Sequence, residues 1–204
     1  LTTHHVADFF SHVLERVDWT RDLHFHTKTS IDTLDYSGDG LNTGSKVVVA
    51  AAGAKKRTLA TEKPSVEWGS EVKAVEVAQP GTLAVEIGPW ENYEKANEEI
   101  QRLAARWASA DLQGFPLIVL VDDAAFASRT LNNYLWVTYT RSNPSHDIYG
   151  VKSFVENKHW GCRGSLIIDA RIKSHHAPPV EKVPEVEHRV DRLGEQGASL
   201  HGII

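Results

Sequence analysis

The chain of 204 residues is 41% hydrophobic and 24% charged with a formal net charge of -5, a balance that excludes a disordered chain and predicts one sizeable folded core. The acidic surplus argues against nucleic acid as a partner, since phosphate binding needs a local excess of Lys and Arg and the one basic run, Lys55 to Arg57, is short. No apolar run nears the roughly 20 residues that cross a bilayer, so no membrane association is expected. Cys162 is the only cysteine and the N-terminus "LTTHHVADFF" lacks a signal-peptide pattern, which points to the cytoplasm. Methionine is absent, so Leu1 is read as other than a translation start, and the sequence either as a fragment or as one from which modified methionines are missing.

In chain order, Val6, Phe9, Phe10, Val13, Leu14 and Val17 recur at spacings of three and four and predict an amphipathic helix. Asp18 to Gly44 is polar and turn-rich, including Gly38-Asp39-Gly40, and reads as an irregular surface arm. "KVVVAAA", from Lys46 to Ala52, is a short continuous apolar run, as expected of a strand buried on both faces. "TLAVEIG" (Thr82 to Gly88), "PLIVLV" (Pro116 to Val121) and "SLIIDA" (Ser165 to Ala170) have the same character.

Between the second and third runs, Glu91 to Ala110 carries an apolar stripe of Tyr93, Ala96, Ile100, Leu103, Ala104 and Trp107, which predicts a crossover helix. Thr130 to Thr140 predicts another helix, although Val137, Thr138 and Tyr139 also suit a strand. After Pro178, Pro179 and Pro184, Glu185 to Leu193 has helical spacing and reads as a tail that docks on its own domain or a neighbour. The expected fold class is α/β: a mostly parallel sheet with flanking helices, an extended N-terminal arm and a C-terminal docking helix. The boundaries read as 1–45 for helix and arm, 46–175 for the α/β domain and 176–204 for the tail.

Asp122 and Asp123 close the third run, and ligands gather beyond the carboxyl ends of strands in open α/β sheets. They could hold a metal or cap the next helix, and capping is favoured because "AAFASRT" offers no further metal ligand. The eleven histidines lack zinc spacing, and Cys162 beside His159 fits packing better than a nucleophile. Arg141, in "TRSNPSHDIYG", stands where Asn143-Pro144 forces a turn, and Asp147 is near enough in sequence for a fork pair that fixes the loop. From local chemistry alone the catalytic class stays open.

"PLIVLVDDAAFASRTLNNYLWVTYTRSNPSHDIYG" resembles the C-terminal domain of the UbiD-type prenylated-flavin-dependent decarboxylase family. There a strand ends in a run of Asp (here Asp122-Asp123), a helix carries a Leu-Trp pair (Leu135-Trp136), and a Thr-Arg-x-x-Pro-x-x-Asp turn follows (Thr140, Arg141, Pro144, Asp147). "LIIDARIKSHHAP" is similar to the family's Ile-Asp-Ala-Thr-x-Lys segment through Ile168, Asp169, Ala170 and Lys173, with Arg171 in place of Thr.

The resemblance implies removal or addition of CO₂ at aromatic or α,β-unsaturated acids, with prenylated FMN, a divalent metal and potassium. The Glu-Arg-Glu triad and the metal ligands would lie on a flavin-binding domain outside these residues, so no catalytic and no metal-binding residue transfers. Implied partners are that domain and further copies of the chain, in a dimer or larger homo-oligomer. Lys95 is the implied contact to the flavin phosphate. The loop from Val151 to Gly164 implies Phe154, Lys158, His159 and Trp160 as substrate-pocket residues. Two rival readings are a non-catalytic association module and an independent metal-dependent enzyme using Asp122 and the histidines.

Overall fold

Three of the four apolar runs become the parallel centre of one sheet. The computed structural model describes residues 2–38, 40–177 and 183–203; Asp39, Pro178 and Pro179, part of two turn and tail expectations above, lie outside them. In chain order the elements are α1 (Val6–Arg16), β1 (Leu23–Thr29), β2 (Gly44–Val49), β3 (Ala74–Gln79), β4 (Thr82–Glu86), α2 (Tyr93–Trp107) and β5 (Leu117–Val121). There follow α3 (Ala124–Ser128), α4 (Leu131–Thr140), α5 (Pro144–Asp147), β6 (Ile148–Gly150), β7 (Ser153–Glu156), β8 (His159–Cys162), β9 (Leu166–Asp169) and α6 (Pro184–Gly194).

The main sheet has the order β3-β4-β5-β9-β6. Its inner pairs β4–β5 and β5–β9 are parallel, and both edge strands pair antiparallel, so the sheet is mixed with a parallel centre. The unbroken apolar runs are explained by burial on both faces. Along β5, Ile118 and Leu120 pack with Ile100, Leu103 and Trp107 of α2. Leu117, Val119 and Val121 face the other way, against Leu14, Val17, Tyr134 and Val137. The buried residues of α2 are Ala96, Ile100, Leu103, Ala104 and Trp107, which all fall on the expected stripe, and Asn92 caps its start by accepting from the Lys95 amide at 2.9 Å.

Two expectations are corrected. The run from Lys46 is not buried on both faces: it forms β2, ends at Val49 and leaves Val48 49% exposed. It pairs antiparallel with β1 in a separate two-stranded sheet, His24 opposite Val48 and Phe25 opposite Val47. The expected irregular arm therefore contains a strand, and it is not confined to the surface, because Trp19 and Leu23 are buried in the core beside Ile168. Polar composition hid the period of two in "LHFHT", where Leu23 and Phe25 alternate with His24 and His26.

α4 and α6 form where the helical spacings predict them. No residue of α6 is buried, and Val186, Val190 and Leu193 along it are exposed. Among the described residues no helix is long and apolar enough to cross a membrane.

Candidate binding cleft and its charged support

The hairpin β7–β8 carries the candidate pocket residues. Glu156 pairs with His159, so Asn157 and Lys158 form a two-residue turn, and both have positive φ, 51° and 66°. That is the pattern of a type I′ turn, whose twist matches the flanking strands. The turn places Lys158 at the exposed tip. Gly161 lets the hairpin lie close on the N-terminal segment, since a Cβ there would come within 2.7 Å of the Trp19 carbonyl oxygen.

Lys158, His159 and Trp160 line a cleft of about 790 Å³ that β1 and the start of α5 complete. From β1 come Phe25 and the two imidazoles His24 and His26, and from α5 Pro144 and Ser145. Trp160 meets Phe25 edge to face at 5.7 Å. His159 Nε2 lies 2.9 Å from the Thr20 carbonyl oxygen, which can only accept, so Nε2 carries a proton. Phe154 is not in the cleft wall; its ring lies under the Arg163 guanidinium at 4.3 Å. Three of the four residues implied by resemblance thus come together, and the contribution of β1 is absent from the sequence reading because that segment reads as irregular.

The "TRSNPSHD" turn stands behind this cleft and is held by buried charges at the carboxyl edge of the sheet. Arg141 and Asp147 do not form the expected fork. Arg141 Nη1 reaches Asp122 at 3.3 Å, and its guanidinium covers Trp136 at 4.8 Å. Asp147 instead accepts from the Asn143 amide at 2.6 Å and faces Lys173 Nζ at 3.3 Å. The reason is topological: β9 and the chain after it bring Lys173 under α5, while β5 ends with Asp122 beside Arg141. Burial pushes the Asp147 carboxyl up to about 7, against the pull of Lys173 and the Asn143 amide.

The fork pair of this edge is Asp169 with Arg171. Arg171 Nε and Nη2 donate to the two carboxylate oxygens at 2.9 and 2.8 Å, and Nη1 donates to Glu99 at 2.8 Å and to the Gly88 carbonyl oxygen at 2.9 Å. Burial disfavours its charge, yet the hydrogen bond and charge of Asp169 outweigh burial and hold the Arg171 pKa above its ordinary value. In the sequence Arg171 stands out only as a departure from the family segment; a cation two residues after a strand-ending Asp is the available signal. Lys173 Nζ also donates to the carbonyl oxygens of Arg141 and Asp169, at 2.9 and 3.0 Å.

Asp122 accepts from the Ile172 amide at 2.8 Å, and Asp123 caps α3 by accepting from the Phe126 amide at 2.8 Å. Cys162 is 1% exposed and burial pushes its thiol up to about 12, the state of a packing residue. Lys95 lies exposed on the first turn of α2, where its ammonium is bound by Glu91. The His175 and His176 rings meet edge to face at 4.7 Å, and burial holds His176 down at about 4.

Among the described residues no three His, Cys, Asp or Glu side chains gather to hold a metal ion, so the donor set does not fit a divalent cation. Lys95, the residue implied as the flavin-phosphate contact, is already occupied by Glu91 and is not part of the cleft.

A model of the family described as "3-octaprenyl-4-hydroxybenzoate carboxy-lyase C-terminal domain" matches residues 1–51, the part that forms α1, β1 and β2. The chain is 31% identical over 185 residues to an uncharacterized protein of Chlamydia trachomatis serovar D, covering 89% of this chain and 29% of that protein. It is 29% identical over 181 residues to a 4-hydroxybenzoate decarboxylase subunit of Chlamydia pneumoniae, covering 87% of this chain and 29% of that protein. The chain therefore spans less than a third of the length of these relatives. A vanillic acid decarboxylase structure from Sedimentibacter hydroxybenzoicus aligns with 60% of this chain and 28% of that one at 18% identity and a TM-score of 0.35, too low to define a shared arrangement. The profile match at the N-terminus and the chlamydial alignments, which take in most of the segment carrying the Asp-run and Thr-Arg motifs, support the resemblance to the C-terminal domain of the UbiD-type decarboxylase family.

Proposed function

We propose that this chain forms one wall of the substrate cleft of a UbiD-type (de)carboxylase acting on aromatic or α,β-unsaturated carboxylic acids, with the triad, the prenylated FMN and its metal ions on a flavin-binding domain outside these residues. The observation that carries this reading is the cleft in which Lys158, His159 and Trp160 meet Phe25 and the β1 imidazoles. An arene would stack edge to face in the Trp160–Phe25 corner, as aromatic rings prefer. Lys158, exposed at the hairpin tip, supplies a cation for the carboxylate. The His159 ring is oriented by the Thr20 carbonyl, and its Nδ1 atom is available to a ring hydroxyl. The Asp147–Lys173 pair positions the α5 side of the cleft from behind.

The partner in this reading is the flavin-binding domain of the same protein, in a homo-oligomer. The exposed Val186, Val190 and Leu193 stripe of α6 supports docking of the tail on a neighbouring unit. The same stripe also favours the alternative, a non-catalytic module that only holds subunits together.

Titration of the chain with 4-hydroxybenzoate, the acid in the name of the Chlamydia pneumoniae relative, followed by tryptophan fluorescence, separates the two. Saturable binding that Trp160→Ala and Lys158→Ala each weaken supports the cleft reading. Absence of binding, or binding that both variants leave unchanged, favours the association module. Retention of prenylated FMN by this chain alone on gel filtration would contradict placement of the flavin site elsewhere.

A further inference from the structure

A second cavity, of about 390 Å³, opens at the opposite edge of the main sheet, where Pro116 leads into β5 and Ser165 into β9. Its wall includes four cationic side chains, Lys56, Arg57, Lys152 and Arg163, and no carboxylate. That is unexpected in a chain with 27 acidic and 22 basic residues. The cations differ in how far they are already neutralised. Lys56 pairs with Asp18 at 2.7 Å and Arg163 with Glu156 at 3.1 Å, both acids standing outside the wall.

Arg57 is half-buried. It donates to the Leu14 carbonyl oxygen at 2.6 Å, and burial lowers its pKa against the charge of Asp18. A guanidinium bound only to a neutral carbonyl keeps donors and charge for a further acceptor. Lys152 has no ion pair or hydrogen bond from its ammonium among the described residues. It also sits at a φ of 55°, a left-handed conformation that disfavours a lysine on backbone grounds. Lys152 is exposed and lines the cavity without a partner of its own among the described residues.

Deeper in, Trp19 and Trp107 line the cavity, but their indole N–H groups already donate to the carbonyl oxygens of Pro116, at 2.8 Å, and Trp68, at 3.1 Å. Both indoles are almost wholly buried, so the open polar wall is made by the cations and the Gln113 amide. Lys152, which has no partner, and Arg57, which has donors to spare, suit a dianion, and the volume lies in the usual range for small-molecule sites, roughly 300–1,000 Å³. A bare phosphate ion would leave most of that space unfilled. A nucleic-acid backbone is disfavoured, because four cations on a net acidic chain cannot supply the electrostatic attraction it needs.

We infer that this cavity binds a small organic phosphate, with the phosphate dianion held between Arg57 and Lys152 and the organic part in the remaining space of the cavity. The site is separate from the cleft and does not depend on the proposed decarboxylase role.

Calorimetric titration of the full chain with adenosine 5′-monophosphate, inorganic phosphate and uncharged adenosine, at fixed ionic strength, tests it. The nucleotide should bind saturably and more tightly than inorganic phosphate, and adenosine should not bind. Lys152→Asn, which tolerates the left-handed backbone, should weaken nucleotide binding about tenfold, the scale of one lost charge-assisted contact. Lys152→Arg, which keeps the charge, should retain it. No saturable binding, equal affinity for adenosine, or an unchanged affinity in a folded Lys152→Asn would overturn the assignment. Inorganic phosphate binding as tightly as the nucleotide would overturn the organic part of it and leave an ion site.

Discussion

At the carboxyl edge of β5 and β9, Asp122, Asp147, Asp169, Arg171 and Lys173 all find oppositely charged partners within 3.3 Å, and Arg171 and Lys173 are almost wholly buried. At the amino edge of the same strands, Arg57 and Lys152 face a cavity whose wall contains no carboxylate. The first edge has spent its charges on itself, so its function is to hold α5 and the chain after β9 in place. The second leaves charge for a ligand to satisfy. The family signature in the sequence falls on the self-satisfied edge, and the cleft that signature supports lies beside it on the hairpin. A distinctive string of ionisable residues can thus be a brace, while the proposed binding surface is built from less distinctive ones.

The sharpest way to break the braced edge is Arg171→Met. It leaves the Asp169 carboxylate, 1% exposed, without its fork, and removal of one partner of a buried pair costs about 3–5 kcal/mol. Urea unfolding should show that loss, and Asp169→Leu added to Arg171→Met should recover much of it, because no buried charge is then stranded.

The hairpin is expected to yield separately from the sheet. In Gly161→Ala the new Cβ would meet the Trp19 carbonyl oxygen at 2.7 Å and the Phe154 ring at 2.9 Å, an overpacking of about 1–3 kcal/mol. Hydrogen exchange should accelerate in β7 and β8 while the β5 amides keep their protection, and binding of 4-hydroxybenzoate should weaken. Equal acceleration in both would mean that the hairpin is not an independent wall.

Titration sharpens the comparison further. The raised Asp147 carboxyl holds a proton more tightly in the folded chain than in the unfolded one, where its ordinary value is 3.8. Its contribution is therefore complete below that value and lost as pH rises through about 7. His176, lowered from 6.5 to about 4, runs the other way: its contribution is present above 6.5 and lost as pH falls through about 4. Between those limits the slopes oppose each other, at most about 1.4 kcal/mol per pH unit for buried Asp147 and less for the more solvated His176. Asp147→Asn should leave a chain that weakens on acidification, and His176→Asn one that weakens as pH rises, both read from urea midpoints across that range. The smallest effect expected is from Asp123→Ala, about 1 kcal/mol for loss of the α3 cap, measured in the same unfolding experiment.

Much of the central scaffold was legible in the sequence. The runs at Thr82, Pro116 and Ser165 became β4, β5 and β9, and the stripe from Ala96 to Trp107 became the buried face of α2, because burial on one or two faces imposes a period that a short window displays. Asp123 as a cap was legible for the same reason, its partner lying three residues away. The cleft was only half legible: Lys158, His159 and Trp160 followed from resemblance, while His24, Phe25 and His26 were hidden in a polar segment whose strand forms by pairing with β2.

By itself, then, the sequence determined the α/β class, the strands of the sheet centre and the family resemblance, since each rests on local period or on a contiguous motif. Tertiary structure alone decided that Arg141 takes Asp122 and Asp147 takes Lys173, that Arg171 closes on Asp169 and Glu99, and that four cations from three chain segments share one cavity. The physical reason is that an ion pair is chosen by which side chains the folded sheet brings within a few ångströms, and the composition of "TRSNPSHD" holds no record of the strands that end beside it.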